Sequence, residues 1–471
     1  MAIRKRFLFK GTVQGVGFRP FIWRQATENA LTGFVQNRPD GVIAEVEGPV
    51  QAVGRFIEQI QFRPPPLAEI TGIEEEEIPP AGDHAFVIAE SGRDAPGDLH
   101  ITPDIATCAA CLAEFSDPGN RRYHYPFINC TDCGPRLTII DAVPYDRSRT
   151  SMACFPMCPS CRREYENPAD RRFHAEPNAC RDCGPRLALL DAAGQSIATD
   201  AVAGAIDLLR RGSILAVKGL GGFHLCVDAR NDAVLKALRQ RKFREEKPLA
   251  VMVRDINAAS LLAVIGDAEK RLLLSPERPI VLVRRRDGSP VSPLVAPGID
   301  TLGIMLPYTP LQHLLLGEEL PALVMTSANR TDEPICVGNR EALHRLCGVA
   351  DAFLVHDRDI LVRCDDSVAI VLEEAPFVLR RSRGYAPKPV ALKQAYPAVL
   401  ALGPQIKGTV CILKGRFAFL SPHIGDMETP EARDFLLESI EFMQRITECR
   451  PGLVACDLHP GYFTSRVARG M

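Results

Sequence analysis

The chain has 471 residues, 46% hydrophobic and 24% charged, enough for three or four domains with buried cores. Its 56 Lys and Arg against 58 Asp and Glu leave a net charge of −2, which argues against a general nucleic-acid binder. No apolar run approaches the roughly 18 residues of a membrane helix, the start MAIRKRFLFKG lacks a signal-peptide core, and 16 cysteines without an export signal point to metal or free thiols in the cytoplasm.

Residues 1–90 read as one small α+β unit. IRKRFLFKG and GFVQNRP are strand-like, with an amphipathic helix from Pro20 to Leu31 between them. The Asp40-Gly41 turn leads into the strand VIAEVEG, and a second helix from Val50 to Phe62 ends before Pro64-Pro65-Pro66. AEITGIEEEEI and AFVIAES complete a β-α-β-β-α-β, ferredoxin-like order. Between the first strand and helix lies Gly11-Thr12-Val13-Gln14-Gly15-Val16-Gly17-Phe18-Arg19. Its glycines permit close backbone approach, its N–H groups can cradle an anion, and Arg19 adds a permanent cation. Asn37 ends the next strand, near this loop in such a topology. With that pair of motifs, residues 3–90 resemble the acylphosphatase family. The resemblance implies that Arg19 binds the phosphoryl group and Asn37 orients the attacking water, with no covalent nucleophile.

A polar linker is expected at 91–104, then an internal repeat of period 50 over 105–191. Cys108-x2-Cys111-x18-Cys130-x2-Cys133 recurs as Cys158-x2-Cys161-x18-Cys180-x2-Cys183. Two knuckles supply the four thiolates of a closed tetrahedral site, so two structural Zn2+ ions are expected. Pairing within each repeat is the default; a crossed pairing stays open. His124 and His174 recur in register as spare ligand candidates but are read as structural, since four thiolates saturate zinc. Arg121, Arg122, Arg171 and Arg172 are read as packing and turn residues, and Cys154 falls outside the register.

Residues 198–388 alternate helical patterns (AVAGAIDLLRRG, DAVLKALRQRK, INAASLLAVIG) with strand-like runs (ILAVKG, PLAVMV, PIVLVRR, ALVMTS, SVAIVLE), an α/β domain. Four segments supply a Gly-rich loop, cations and polar donors suited to a triphosphate. They are KGLGGFHL (Lys218, Gly221, His224), RKFREEKPL (Lys242, Arg244, Lys247), TSAN (Ser327, Asn329) and RRSRGY (Arg380, Arg383). The combination resembles the YrdC family, whose KxR and SxN elements match Lys242, Arg244, Ser327 and Asn329. That resemblance implies activation of a carbamate with ATP to an adenylate and pyrophosphate. Asp365 and Asp366 are candidate Mg2+ ligands, within a HDRDI…RCDD stretch that also holds His356, Asp357 and Asp359.

Residues 398–471 open another α/β set, with strands AVLALG, GTVCILK and RFAFLS, a helix over Ala432–Thr447, then GLVACD. ALGPQIKGT, SPHIGD and DLHPGY resemble the start of a TsaD-like ATPase-fold domain, of which about 75 residues are present. The order of acylphosphatase domain, tandem four-cysteine modules, YrdC-like domain and incomplete TsaD-like domain resembles the HypF-type carbamoyltransferases of [NiFe] hydrogenase maturation. The resemblance implies a multidomain α+β and α/β chain that hydrolyses carbamoyl phosphate and, with ATP, forms a carbamoyl adenylate. The carbamoyl group then passes to the C-terminal cysteine of a HypE-type partner. No counterpart of that family's metal-binding histidine pair is present, so the chain reads as a fragment, split product or truncated form, and the transfer step stays open. Two rival readings are a threonylcarbamoyl-adenylate synthase for tRNA modification and a zinc-stabilised RNA-binding scaffold. Few aromatics beside the basic clusters speak against the second.

Overall fold

The computed structural model describes residues 2–38, 40–65, 67–89, 101–143, 145–330 and 333–471; most of the expected linker thus lies outside the described residues. The chain forms two compact units, one of Met1–Thr102, Asn129–Cys133 and Met157–Asn178, the other of Pro103–Ile128, Gly134–Pro156 and Ala179–Met471.

The first unit contains β1 (Ala2–Thr12), α1 (Phe18–Glu28), β2 (Thr32–Arg38), β3 (Gly41–Pro49), α2 (Val50–Phe62), β4 (Glu69–Ile78) and β5 (Phe86–Ile88). The sheet order is β4-β1-β3-β2-β5. Strand alternation explains its two faces. Phe7 and Phe9 of β1 are fully buried against Phe18, Ile22 and Phe56, while Lys5, Arg6 and Lys10 pair across to Glu75, Glu76 and Glu74 of β4. Arg4, 5% exposed, is held by Glu45 at 2.8 Å, Glu47 at 3.0 Å and Asp83 at 2.6 Å. The consecutive cations Arg4, Lys5 and Arg6 are therefore all engaged in ion pairs within the fold.

Two short helices, α3 (Ala109–Ser116) and α4 (Pro159–Glu166), follow Cys108 and Cys158, each of which is the helix N-cap. The large sheet is built from β6 (Leu187–Asp191), β7 (Leu215–Lys218), β8 (Phe223–Asp228), β9 (Ala250–Val253), β10 (Ile280–Arg284), β11 (Thr301–Met305), β12 (Ala322–Ser327), β13 (Ala352–His356), β14 (Val368–Leu372) and β15 (Ala375–Arg380). Its ten strands run in the order β15-β14-β10-β11-β9-β12-β8-β7-β13-β6, with mixed parallel and antiparallel pairs. Helices α5 (Ala201–Arg210), α6 (Asp232–Arg241), α7 (Ile256–Leu262), α8 (Asp267–Leu274), α9 (Pro310–Leu315) and α10 (Asn339–Arg345) accompany it. Two apolar clusters form its core, one around Phe223, Leu235, Val251 and Phe353, the other around Leu209, Val217, Met305 and Leu354. Leu187–Asp191, at the end of the second cysteine repeat, pairs antiparallel with β13.

The last elements are β16 (Val390–Leu402), β17 (Val410–Leu420), α11 (Pro430–Thr447), β18 (Leu453–Ala455) and α12 (Phe463–Gly470). β16 starts eight residues before the AVLALG segment, and GTVCILK and RFAFLS are one continuous strand, β17. The three strands order as β17-β16-β18. α11 meets the large-sheet region through Arg363, which reaches Glu438 at 2.9 Å and lies over the Phe435 ring.

Candidate functional site

In the first unit, Val13, Val16 and Phe18 are at most 1% exposed and pin the loop to the core, while Gly15 and Gly17 take left-handed backbone at φ 68° and 73°. Gly17 caps α1, and a side chain there would meet Thr131 at 3.0 Å and Asp132 at 3.2 Å. Gln14 Nε2 donates to Arg38 O at 2.6 Å and Gly41 O at 2.9 Å, binding the loop to the turn after β2. Arg19 lies in the first turn of α1. Asn37 lies one residue from the end of β2, and its buried Oδ1 has no hydrogen-bond partner among the described residues. A buried unsatisfied amide is costly unless solvent or ligand meets it. A loop of N–H groups, one arginine and this amide are what an anionic ester and a water need.

The eight repeat cysteines gather as Cys108, Cys111, Cys130 and Cys133, and as Cys158, Cys161, Cys180 and Cys183, with all ligand atoms of each set within 4.8 Å of one another. Pairing is thus within each repeat. Four sulfurs at ~2.3 Å around a tetrahedral zinc lie about 3.8 Å apart. The Sγ atoms of Cys130 and Cys133, and of Cys180 and Cys183, are each 3.8 Å apart, so the residues fit zinc. Cys154 is in neither set; its thiol donates to Ser151 O. The repeated histidines have a backbone role: His124 and His174 both adopt φ near 50°, at 52° and 49°, and pack against Tyr123 and Tyr165. The repeated arginines are buried carbonyl donors, Arg122 Nε to Ala179 O at 2.8 Å and Arg172 Nε to Asn129 O at 3.0 Å.

The third constellation sits at the end of α6. Lys242 caps the helix and Phe243 turns left-handed at φ 51°, so the next cation, Arg244, doubles back. Arg239 fixes this turn by donating to the carbonyls of Arg244 and Glu245 at 2.9 and 2.8 Å. Lys242 Nζ donates to Ser327 O and, at 2.9 Å, to Asn329 Oδ1. Ser327 Oγ donates to the same Oδ1 at 3.0 Å, and Asn329 Nδ2 donates to Glu333 O at 2.6 Å. Arg244 donates to Thr326 Oγ1 at 3.1 Å. Burial, then the nearby Arg244, pushes Lys242 down to about 7. Burial, then Arg239 and Arg380, pushes Arg244 down to about 10. Asp365 opposes both shifts. Burial also lowers His423 of the SPHIGD segment, with Asp365, Arg380, Asp426 and Lys247 acting on it. Lys242, Arg244, Lys247, Ser327, Asn329 and Arg380 thus share one polar cluster, and His423 joins it, a residue that sequence reading did not single out.

The remaining expected residues take other places. Gly221 is needed for packing: a side chain there would strike Cys364 O at 2.1 Å. His224 Nε2 meets Asp366 Oδ2 at 2.9 Å, and Arg383 Nε donates to Asp366 Oδ1 at 2.7 Å. The Arg383 guanidinium stacks on Tyr308, 3.4 Å from the ring centroid. Burial opposes the charge on Asp366, but Arg383 and His224 overcome it and hold the carboxyl well below its usual range. Both oxygens of Asp366 are engaged, which leaves Asp365 as the carboxylate of the pair facing the cation cluster. Lys218 has different neighbours: its Nζ donates to His356 O at 3.1 Å. Tyr308 carried no signal in the sequence, being one aromatic in an unremarkable loop.

Among the described residues no helix is long and apolar enough to cross a membrane. Four families match in succession: Acylphosphatase over residues 5–88, HypF finger over 107–140 and 157–190, Telomere recombination (the Sua5, YciO and YrdC group) over 207–382, and HypF Kae1-like domain over 394–471. The carbamoyltransferase HypF2 of Cupriavidus necator is 50% identical over 99% of this chain and 60% of its own length. The carbamoyltransferase HypF of Rhizobium leguminosarum is 49% identical over 99% of this chain and 61% of its own. A crystal structure of full-length HypF in a phosphate- and nucleotide-bound form superimposes with a TM-score of 0.94 at 43% identity, covering 100% of this chain and 62% of that one. This chain spans about three fifths of such relatives, from the acylphosphatase fold through the first residues of the Kae1-like domain, and it belongs to the HypF carbamoyltransferase family.

Proposed function

We propose that the chain hydrolyses carbamoyl phosphate and adenylates the product with ATP, the opening steps of carbamoyl transfer in hydrogenase maturation. In the first step Arg19 and the loop N–H groups hold the phosphoryl oxygens while Asn37 Oδ1 accepts a hydrogen from the attacking water. Water replaces carbamate at phosphorus, giving phosphate and carbamate. In the second, a carbamate oxygen attacks the α-phosphorus of ATP, forming carbamoyl adenylate and expelling pyrophosphate. Lys242, Arg244, Lys247 and Arg380 neutralise the triphosphate, and Ser327 and Asn329 orient it. Mg2+, when bound, would neutralise phosphate oxygens, with Asp365 the available carboxylate. The carbamoyl group then goes to the C-terminal cysteine thiol of a HypE-type acceptor, a step that in the longer relatives has the rest of the Kae1-like domain available.

The observation that carries this reading is the clustering of Lys242, Arg244, Ser327 and Asn329. The phosphate- and nucleotide-bound state of the related HypF crystal supports it. Zinc ions, when bound, would be held by Cys108, Cys111, Cys130 and Cys133 and by Cys158, Cys161, Cys180 and Cys183, four thiolates that would saturate each ion, so their contribution would be to the fold. The test is pyrophosphate release. It should require ATP and carbamoyl phosphate. Release supported instead by threonine and bicarbonate would overturn the assignment in favour of tRNA modification.

A further inference from the structure

Asn329 faces Lys242 with one end of its amide. Its Oδ1 accepts from Lys242 Nζ at 2.9 Å and from Ser327 Oγ at 3.0 Å, while its Nδ2 donates to Glu333 O at 2.6 Å. A lysine ammonium has donors only, so an amide turned end for end would set N–H against N–H. The Glu333 carbonyl therefore decides which atom meets the lysine, and the position of Glu333 decides where the amide sits. The segment after β12 is tied to the sheet by Ala328 N to Phe223 O at 2.8 Å, Cys336 N to Ala328 O at 3.0 Å and Phe223 N to Cys336 O at 2.8 Å. These bonds flank Glu333 without reaching it.

The residue that grips Glu333 is Arg345, in the last turn of α10. Their side chains are 17% and 18% exposed. Arg345 Nε and Nη2 both donate to Glu333 Oε2, at 3.1 and 2.6 Å, and Nη2 also donates to Pro334 O at 3.0 Å. The main-chain oxygen of Arg345 accepts from Arg330 Nε at 3.2 Å, so the segment is held on both sides of its middle. Arg345 Nη1 donates to Glu341 Oε1, and the other Glu341 oxygen accepts from Val337 N at 2.9 Å and Gly338 N at 3.0 Å at the start of α10. The guanidinium is thus braced by its own helix while it holds the neighbouring segment. With both partners mostly buried, removing one strands the charge of the other.

We propose that Arg345 is a positioning residue of the nucleotide site: by gripping Glu333 it aims the Asn329 amide at Lys242 and sets the geometry in which the triphosphate is held. The inference rests on the adenylation reading and adds to it a residue that acts only through Glu333 and Asn329. Small displacements of a positioning group carry large costs in binding and rate.

The test is a double-variant cycle on the whole chain, read as ATP affinity by calorimetry and as ATP–pyrophosphate exchange with bicarbonate and ammonia. Asn329→Ala should weaken both readouts about tenfold, for the lost hydrogen bonds. Arg345→Met should cost about tenfold and Glu333→Gln about threefold, with Arg345→Lys between the parent and Arg345→Met. The decisive result is the combination. Because Arg345 works through Asn329, Arg345→Met added to Asn329→Ala should cost less than about twofold more. A merely structural role for Arg345 would multiply the two losses to about a hundredfold and overturn the proposal. Folded Arg345→Met and Glu333→Gln variants that match the parent would overturn it as well. If Arg345→Met does not fold, the same cycle with Glu333→Gln decides. Failure of the adenylation reading looks different: Asn329→Ala and Lys242→Ala would both leave ATP affinity unchanged, and this inference would fall with it.

Discussion

In the proposed reading, the loop at Arg19 and the turn at Lys242 would hold anions in opposite ways. In the first, one arginine accompanies a glycine-rich loop, and the strain is an amide oxygen at Asn37 that has no partner among the described residues. In the second, burial depresses Lys242 and Arg244, helped by Arg244 on the lysine and by Arg239 and Arg380 on the arginine, and Asp365 opposes both shifts. A backbone cradle is set by glycines and costs little to keep empty. A cation cluster is destabilising until a polyanion arrives, so its properties depend on ligand and on pH.

That contrast can be broken at four points. The largest effect is expected from the scaffold. Intact chain should contain two zinc ions by metal analysis, and stripping them with a strong chelator should unfold the cysteine modules, since structural zinc contributes on the order of 10 kcal/mol. A chain that keeps its melting temperature without metal would remove zinc from the fold. Next, Arg19→Ala should cut phosphate release from carbamoyl phosphate by about 10³-fold, because the sole arginine assigned to that loop is lost. ATP–pyrophosphate exchange driven by carbamate from bicarbonate and ammonia should survive. Lys242→Ala should do the reverse, sparing hydrolysis and cutting exchange by about 10²-fold, less than the first because Arg244, Lys247 and Arg380 remain. If either variant lost both activities while folded, the two regions would not be separate sites.

Much of this was legible in the sequence because its motifs are local. The cysteine register gave both four-cysteine sets, and the glycine loop with Asn37 announced the acylphosphatase fold. Strands such as β11 and β13 escaped because TLGIM and AFLVH carry no alternation: both lie inside a two-sided sheet, where all their residues but Thr301 and His356 are apolar or glycine. The buried network of His224, Asp366, Arg383 and Tyr308 was hidden for a different reason. Its members lie up to 159 positions apart, from 224 to 383, and only the strand order brings them together. The same holds for His423, which meets the cation cluster through packing that no spacing encodes.

The smallest expected effect is also the most specific to the Lys242 turn. In the free chain burial, with Arg244, pushes this lysine down to about 7 from an ordinary value of 10.5. Between those values the unfolded chain binds a proton that the folded chain does not, so stability rises with pH through that window and the penalty is full below it. A triphosphate reverses the balance by favouring the charged amine. ATP binding at pH 8 should therefore take up close to one proton, and the apparent Kd should rise by at most tenfold per unit above pH 7. Calorimetric titration in two buffers of different ionisation heat counts that proton. His423, also lowered by burial, titrates below 6.5 and should add uptake only in the acid range, which His423→Gln would remove. Lys242→Arg should abolish the uptake at pH 8 while keeping binding, because a guanidinium stays charged. Uptake that persisted in Lys242→Arg would locate the titrating group elsewhere and leave the cation cluster no different in kind from the glycine loop.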